Sequence, residues 1–591
     1  MVCPAHAENL AQSPEWIALV HYRPALFHTW KSTIDSDTFF IHPDGKTNPD
    51  LELKATIQLF NEPGKTEQKC LFPARWLFLK KNNIDVKPFP DCSDFVQFKK
   101  DLNPADITLL YTDAYMNNPA SLFGHTLLRI DIPEGKTQLV AHGANFGAFT
   151  GKDENGLKFA IYGLFGGYYG GWTVKPYYDI INMYNNIENR DIWEFTLNLT
   201  PDERDFFVAH LWEIGHTQTR YFFFTENCSY MIMEMFDAIR PTLKMADDFP
   251  VQAIPLDTLK SVNHRTDLVK KINYRPSRQK RISVKYDPMT PAEKRALLAY
   301  LDGDDTLVRQ LDKQAQADIY DTAYEFIQYQ LVAGKMELPE YRKKSFQTLL
   351  NRRDLPAAKP YHPVTPASPL SAHESARFTL QQGFERGHSF QEIEFRPAYH
   401  SLTDPQNGFL NGSEINFFKT ALRYHDQTHD VHLQKLDFVN IISISPWNAL
   451  FHPFSYTIRT GINREWNPKT NEYGLIYDFS GGSGLTTEIG KHTYMYVFGK
   501  TSFQYGGGFM PHNQAIGIGG QIGLLNYFGS MQTELSVEKL FSYNWFLNQL
   551  NIHARGVYNI TQNTAAFIDY QIRDIKPHST NTVMAGFMYY F

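Results

Sequence analysis

From about residue 371 to the last residue, apolar and polar side chains alternate with a period of two. Nowhere in the 591 residues does an apolar run reach the roughly 18 positions a helix needs to cross a bilayer. A chain of this kind can span a membrane only with strands closed on themselves, because hydrocarbon offers no partner to an open backbone. In "MQTELSVEKL", Met531, Thr533, Leu535 and Val537 share one face and Gln532, Glu534, Ser536 and Glu538 the other. "IHARGVYNI" sets Ile552, Ala554, Tyr558 and Ile560 against His553, Arg555 and Asn559. In "AFIDYQIRD", Ala566, Ile568, Tyr570 and Ile572 oppose Asp569, Gln571 and Arg573, and "EIEFRPAY" places Ile393, Phe395 and Tyr399 opposite Glu392, Glu394 and Arg396. About twelve such segments of roughly ten residues follow one another, the length of a tilted membrane strand. A soluble β-sandwich alternates too, but it has no reason to gather Tyr, Trp and Phe near strand ends, as interface girdles require. The pattern therefore predicts an antiparallel β-barrel of about twelve strands over residues 371–591, with the charged face enclosed.

The aromatic content of 15%, with 44 Phe and 33 Tyr, fits that reading. A net charge of -6 and the lack of any recurring basic tract give no footing for nucleic acid. The closing "TVMAGFMYYF" puts Val583, Ala585, Phe587, Tyr589 and Phe591 on one face, and resembles the C-terminal strand of bacterial outer-membrane barrels. Upstream, "LPAAKPYHPVTPASPL" over 355–370 has the proline spacing of a linker. Residues 290–354 have a helical period, and Thr290, Pro291 and Glu293 form a start signal. Thr200, Pro201 and Glu203 repeat that signal before Phe206, Phe207, His210, Leu211 and Ile214. The reading divides the chain into an α/β subdomain over 8–103, a domain of strands and helices over 104–289, the helical segment, the linker and the barrel.

Four cysteines sharpen the chemistry. "AHA" before Glu8 reads as a small-residue cleavage site, with the initiator falling inside a secretory signal, and Cys3 then drops out of the mature chain. Cys70 and Cys92, 22 positions apart, fit a disulfide in an exported protein, the alternative being two buried thiols. That pairing leaves Cys228 as the odd thiol. "ENCSYMIMEMFDAI" sets Cys228 at a helix N-terminus, where free N–H groups and the positive end of the macrodipole favour a thiolate. A base is offered by His125 in "NPASLFGHTLLRI", at the mouth of an apolar strand. A strand histidine by itself reads as structural; the pairing with Cys228 gives it a role.

A histidine strand followed by "NC" opening a helix is the order of the permuted papain-like thiol enzymes, including lecithin retinol acyltransferase-like and NlpC-type proteins. More closely, "NPASLFGHTLLRI", "GLFGGYYGGWTVKPYYDIINMYNNIENRDIWEFTLNLTPDE" and "YFFFTENCSY" resemble the bacterial Lnb N-terminal periplasmic domain family over about residues 104–245. The resemblance implies an α+β, permuted papain-like domain with Cys228 as nucleophile and His125 as general base. It also implies Asn145 as the residue that orients the imidazole, in preference to His142; the other reading of Asn145 is a turn residue. Some members of that family are lipoprotein N-acyltransferases, so it implies an acyl chain passing from phospholipid to a lipoprotein amine through an acyl-cysteine, with no cofactor and no metal. Glu188, Arg190 and Asp191 in "NIENRDIWE" read as a structural ion-pair network. The Gly and aromatic run 163–172 reads either as a lip for an acyl chain or as a tight turn packed on the core. With water as acceptor the same dyad makes an amidase or peptidase of cell-wall peptides, and without chemistry the chain is a barrel carrying a periplasmic binding domain. All three readings place it in the bacterial outer membrane with its N-terminal part in the periplasm.

Overall fold

The computed structural model describes residues 10–25, 29–115, 123–133, 137–151, 158, 162–265, 267–361, 364–467, 469–507, 510, 512–544, 546–575 and 578–591. The expected cleavage motif and Cys3 lie outside them, as do residues 118–122 of the histidine motif. Two compact units emerge, Met1–Thr365 and Pro366–Phe591.

In the first unit the helices Pro49–Asn61, Pro73–Lys81 and Ser93–Leu102 precede a seven-stranded antiparallel sheet. Its strands are β1 Asp106–Thr112, β2 His125–Asp131, β3 His142–Ala148, β4 Tyr168–Pro176, β5 Ile192–Leu197, β6 Thr219–Tyr221 and β7 Val269–Arg275, in the order β6-β4-β3-β2-β1-β5-β7. "DITLLYT" and "HTLLRID" are buried from their second residue onward, which is why both run apolar without alternation. Helix α1, Pro201–Ile214, begins with the expected capping box of Thr200 and Glu203, and helix Pro291–Leu301 repeats it with Thr290 and Glu293. Helix α2, Cys228–Ile239, is buried at all but one of its twelve positions.

Charge is buried where the leading helices meet α1. The Arg75 guanidinium pairs with Glu52 at 2.5 Å and lies 4.5 Å from the ring centroids of Phe39 and Phe72, and the Arg75 backbone N–H donates to Glu213 on α1. His21 likewise bridges Glu234 of α2 (2.8 Å) and His210 of α1 (2.9 Å). Cys70 and Cys92 are joined, with Cα atoms 5.6 Å apart, tying the end of the short helix Thr66–Cys70 to the start of Ser93–Leu102 across the intervening helix Pro73–Lys81. Non-reducing peptide mapping of exported protein is expected to recover these two peptides linked. Replacing Cys92 by alanine should cost about 3 kcal/mol of unfolding free energy, the magnitude set by a loop of this length.

The second unit is a closed antiparallel barrel. Its strands are β8 Arg377–Glu385, β9 His388–Arg396 (continued at Ala398–His400), β10 Ser413–His425, β11 Asp430–Ser443, β12 Ser455–Asn467 and β13 Glu472–Ile489. They are followed by β14 Thr493–Tyr505, β15 Gln514–Phe528, β16 Met531–Phe541, β17 Leu550–Thr561, β18 Thr564–Ile575 and β19 His578–Tyr590. Each pairs with the next, and β8 pairs with β19, so twelve strands leave no edge. The alternation falls as expected: Leu380, Phe395, Ile518, Leu535, Ile568 and Phe587 stand exposed on the outside. Glu392, Arg423, Asp437, Asp478 and Asp569 are buried within. An apolar belt this extensive on a closed sheet is a lipid-facing surface. One position departs from the period: Tyr399 is 3% exposed and packs on Phe409 (ring centroids 5.2 Å apart), because the strand breaks at Pro397 and its continuation turns inward.

Candidate active site

Gly124, immediately before β2, has φ +86°, and a Cβ there would stand 2.9 Å from both the Thr112 carbonyl and the Tyr111 ring. Only glycine lets the chain turn so closely against β1 and present His125 at the first position of β2. His125 Nε2 donates to Asn145 Oδ1 on β3 at 2.6 Å, which leaves Nδ1 for the other neighbour, the Cys228 sulfur. His142, three residues before Asn145, sits at the far end of β3 opposite Ile130, away from the imidazole. The structure thus brings Cys228, His125 and Asn145 together from three separate elements.

Cys228 is buried, 4% exposed, at the first position of α2. Burial raises the pKa of a thiol, yet the His125 charge and hydrogen bonds from His125 and Thr126 outweigh it, and the Cys228 pKa falls below its ordinary value. Burial disfavours the His125 imidazolium in turn, but the adjacent sulfur and Asn145 raise its pKa above the usual one. The two opposite shifts both favour charge on the sulfur and on the ring. Asn227 caps the helix: its Oδ1 accepts from the N–H groups of Ser229 (3.0 Å) and Tyr230 (3.1 Å). Of the first three helix donors, that of Cys228 itself is left for an oxyanion.

Sequence reasoning passed over three neighbours. The Thr126 hydroxyl donates to the sulfur at 3.9 Å, and the Tyr184 ring stacks on His125 with centroids 5.5 Å apart. Tyr221 lies close enough to Cys228 for the two charges to interact, and burial first, then that sulfur, keeps its phenol neutral. Tyr184 belongs to a π-helical turn, Ile181–Ile187, a local geometry that a 3.6-residue period does not signal. Replacing Thr126 by valine is expected to slow alkylation of Cys228 at pH 6 about threefold, read by iodoacetamide kinetics, since one of several hydrogen bonds to the charged sulfur is lost.

Glu188, Arg190 and Asp191 form a network of ion pairs and hydrogen bonds. Arg190 donates to the carbonyls of Thr112 and Asp113, pairs with Glu188 at 3.0 Å and lies over Tyr184. Asp191 instead binds Tyr274, the Ser277 N–H and Lys280. Burial and the nearby Asp191 push the Asp113 carboxyl up to about 8, so it is neutral at pH 7 and adds no charge beside β1. The glycines of the 163–172 run act as close-packing sites: a Cβ at Gly163 or Gly166 would strike the ring of Phe223 or Phe222. The aromatic stretch just before Cys228 is seated on them. Other members of the run face outward, with Phe165 77% exposed, and Phe149 at the end of β3 is exposed as well.

A closed barrel with an outer apolar belt, joined to a domain carrying a cysteine, histidine and asparagine in contact, defines a two-part protein of the outer membrane with a periplasmic N-terminal region. Residues 94–265 match the family model of the Lnb N-terminal periplasmic domain. Three further stretches match families described as domains of unknown function: 8–82 (DUF7843), 272–364 (DUF7842) and 366–590 (DUF7840). No curated protein matches the chain. Among solved structures, the outer membrane protein Omp33 of Acinetobacter baumannii is 12% identical, covering 37% of this chain and 100% of that one, at a TM-score of 0.22. The NanC porin is 9% identical over 36% of this chain and 100% of that one, at 0.23. The KdgM porin is 8% identical over 36% and 99%, at 0.22.

Proposed function

We propose that the periplasmic domain is a cysteine acyltransferase of papain-like chemistry, acting on lipid and protein substrates of the envelope. The observation that carries this reading is the Cys228–His125–Asn145 contact, with the thiol pKa lowered and the imidazole pKa raised. The Cys228 thiolate attacks an ester carbonyl of a phospholipid; a C–S bond forms and, as the tetrahedral oxyanion held by the Cys228 N–H collapses, the ester C–O bond breaks. The imidazolium gives its proton to the departing alkoxide. A lipoprotein amine then attacks the thioester, His125 takes the amine proton, and thiolate leaves as the amide forms. Asn145 keeps Nε2 occupied, so Nδ1 faces the sulfur throughout. The exposed Phe149 and Phe165 supply apolar surface for an acyl chain at the domain surface.

Incubating the protein with phospholipid and then digesting it under acidic conditions is expected to yield the Cys228 peptide carrying a fatty acyl mass. Adding a peptide with a free N-terminal amine should discharge that thioester to an amide. Acylation without any amide product, only free fatty acid, would replace the transferase by a hydrolase. No acyl-cysteine under either condition would remove the enzymatic reading.

A further inference from the structure

We infer that the barrel is sealed: it anchors the protein in the membrane and does not carry solutes across it. Twelve strands enclose room for a pore, but the interior is filled from both ends, and what remains is a cavity of about 560 Å³ lined by paired charges.

At the mouth where the chain enters and leaves the barrel, the segment 401–412 between β9 and β10 crosses the lumen. Leu402, 2% exposed, is buried in a cluster with Tyr494, Tyr496 and Phe498 of β14 and Leu525 and Tyr527 of β15. Those strands lie five and six places around a ring of twelve from β9, where the segment leaves the wall. The Gly412 N–H donates to the Tyr527 hydroxyl at 2.9 Å, and the Leu402 N–H to Glu414 at 3.1 Å. Gly412 has φ +77°, and a Cβ there would stand 2.4 Å from the Ile444 carbonyl, so the segment lies flush against the wall. Its anchor is Asp404, fully buried, which accepts from Arg377 (2.7 Å), Tyr590 (2.8 Å), the Ser401 N–H (2.9 Å) and Arg396. Phe409 then stacks on His400 with centroids 4.0 Å apart and tilts against His373 at 4.5 Å. Asp404 and the two histidines come within metal-binding distance of one another. Two guanidiniums already hold that carboxylate, however, and the cluster is a latch for the segment.

At the opposite mouth the closure is ionic. Arg573 of β18 pairs with Glu465 of β12, six strands away and therefore on the facing wall. Tyr473 of β13 donates to Glu385 of β8 at 2.9 Å, again across the ring. Arg573 is held in place by Gln549 and lies over the Phe546 ring, 4.9 Å from its centroid. Among the described residues, these side chains reach across this mouth from facing walls and obstruct it.

The full-length protein, folded in detergent and inserted in planar bilayers, is expected to give no steady conductance. Stepwise currents from unaltered protein whose barrel shift on unheated gels is intact would overturn the inference. A variant in which residues 402–411 are replaced by a Gly-Ser segment of equal length, combined with Glu465→Ala and Arg573→Ala, should conduct if it folds; silence from a folded variant counts against the segment as the seal. An independent reading needs no altered closure. Thr582→Cys, lining the cavity, should react with a membrane-impermeant thiol reagent about tenfold more slowly than Ser579→Cys at the exposed end of the same strand. Equal rates would show an open lumen.

Discussion

Replacing His125 by alanine is expected to slow alkylation of Cys228 at pH 6 about a hundredfold. The sign follows from the direction of the two shifts. In the intact pair the thiol pKa lies below its ordinary value and the imidazole pKa above, so at pH 6 a larger share of the sulfur is thiolate beside a protonated ring than in an isolated thiol. Without the ring, the largest influence opposing burial is gone and only the Thr126 hydrogen bonds still favour the charged sulfur, so the thiol pKa rises and the thiolate share at pH 6 falls. The weaker intrinsic nucleophilicity of a low-pKa thiolate offsets part of that gain, which keeps the expected effect near two orders of magnitude and not more. Activity, measured as transfer to an amine, should have a broad plateau. Its acid limb is the protonation of Cys228, displaced downward; its basic limb is the loss of the His125 proton, displaced upward. Asn145→Ala should leave the thiol reactive but lower transfer about tenfold, by freeing the ring to rotate. Equal alkylation rates in the His125→Ala and unaltered proteins, both folded by circular dichroism, would sink the ion pair.

The second large effect belongs to the barrel. Ile568, 65% exposed on the outer face of β18, is expected to refuse arginine at a cost of roughly 2 to 4 kcal/mol if it sits near the midplane, so that Ile568→Arg fails to insert stably. The informative control is a lumen position with room. Phe567, the adjacent inward residue, is a poor one. It is 4% exposed, packs with Val557, Met588 and Tyr590, and already holds the Arg555 guanidinium 4.4 Å from its ring, so Phe567→Arg would put a second cation there. Thr582 lines the cavity and is paired in register with Glu385, and Thr582→Arg should insert normally. The measurement is the fraction of protein that migrates faster unheated than boiled. Comparable fractions for Ile568→Arg and the unaltered protein would mean that the outer face does not meet lipid.

What the sequence conveyed, it conveyed through period and order. Alternation fixes which side of each strand faces lipid because one residue of slip would reverse every side chain, and so Leu535, Ile568 and Phe587 were readable without coordinates. Cys228 and His125 were readable because a helix start and a strand start each carry their own signals. Asn145 needed the family resemblance, since nothing in "HGANFGA" distinguishes an orienting amide from a turn residue. Tyr184 and Thr126 carried no signal: each looks like filler in its own element, and only the fold places it against the dyad. The inward turn at Pro397, the segment 401–412 and the Arg573–Glu465 pair were invisible for a related reason. They depend on which strands face one another across a ring, and a periodicity of two contains no information about that.

The pairing of β8 with β19, Arg377 opposite Tyr590, has a consequence for biogenesis. The ring can close only when the last thirteen-residue strand has been delivered to the first, more than two hundred positions earlier in the chain. The sheet bearing His125 and Asn145 needs nothing beyond residue 275 and can be complete long before. A chain cut short ahead of β19 would therefore join a finished N-terminal sheet to an unclosed barrel sheet with two bare edges, which hydrocarbon cannot accept and other strands will bind. Closure through β19 is thus the step that decides whether the barrel can rest in a membrane at all.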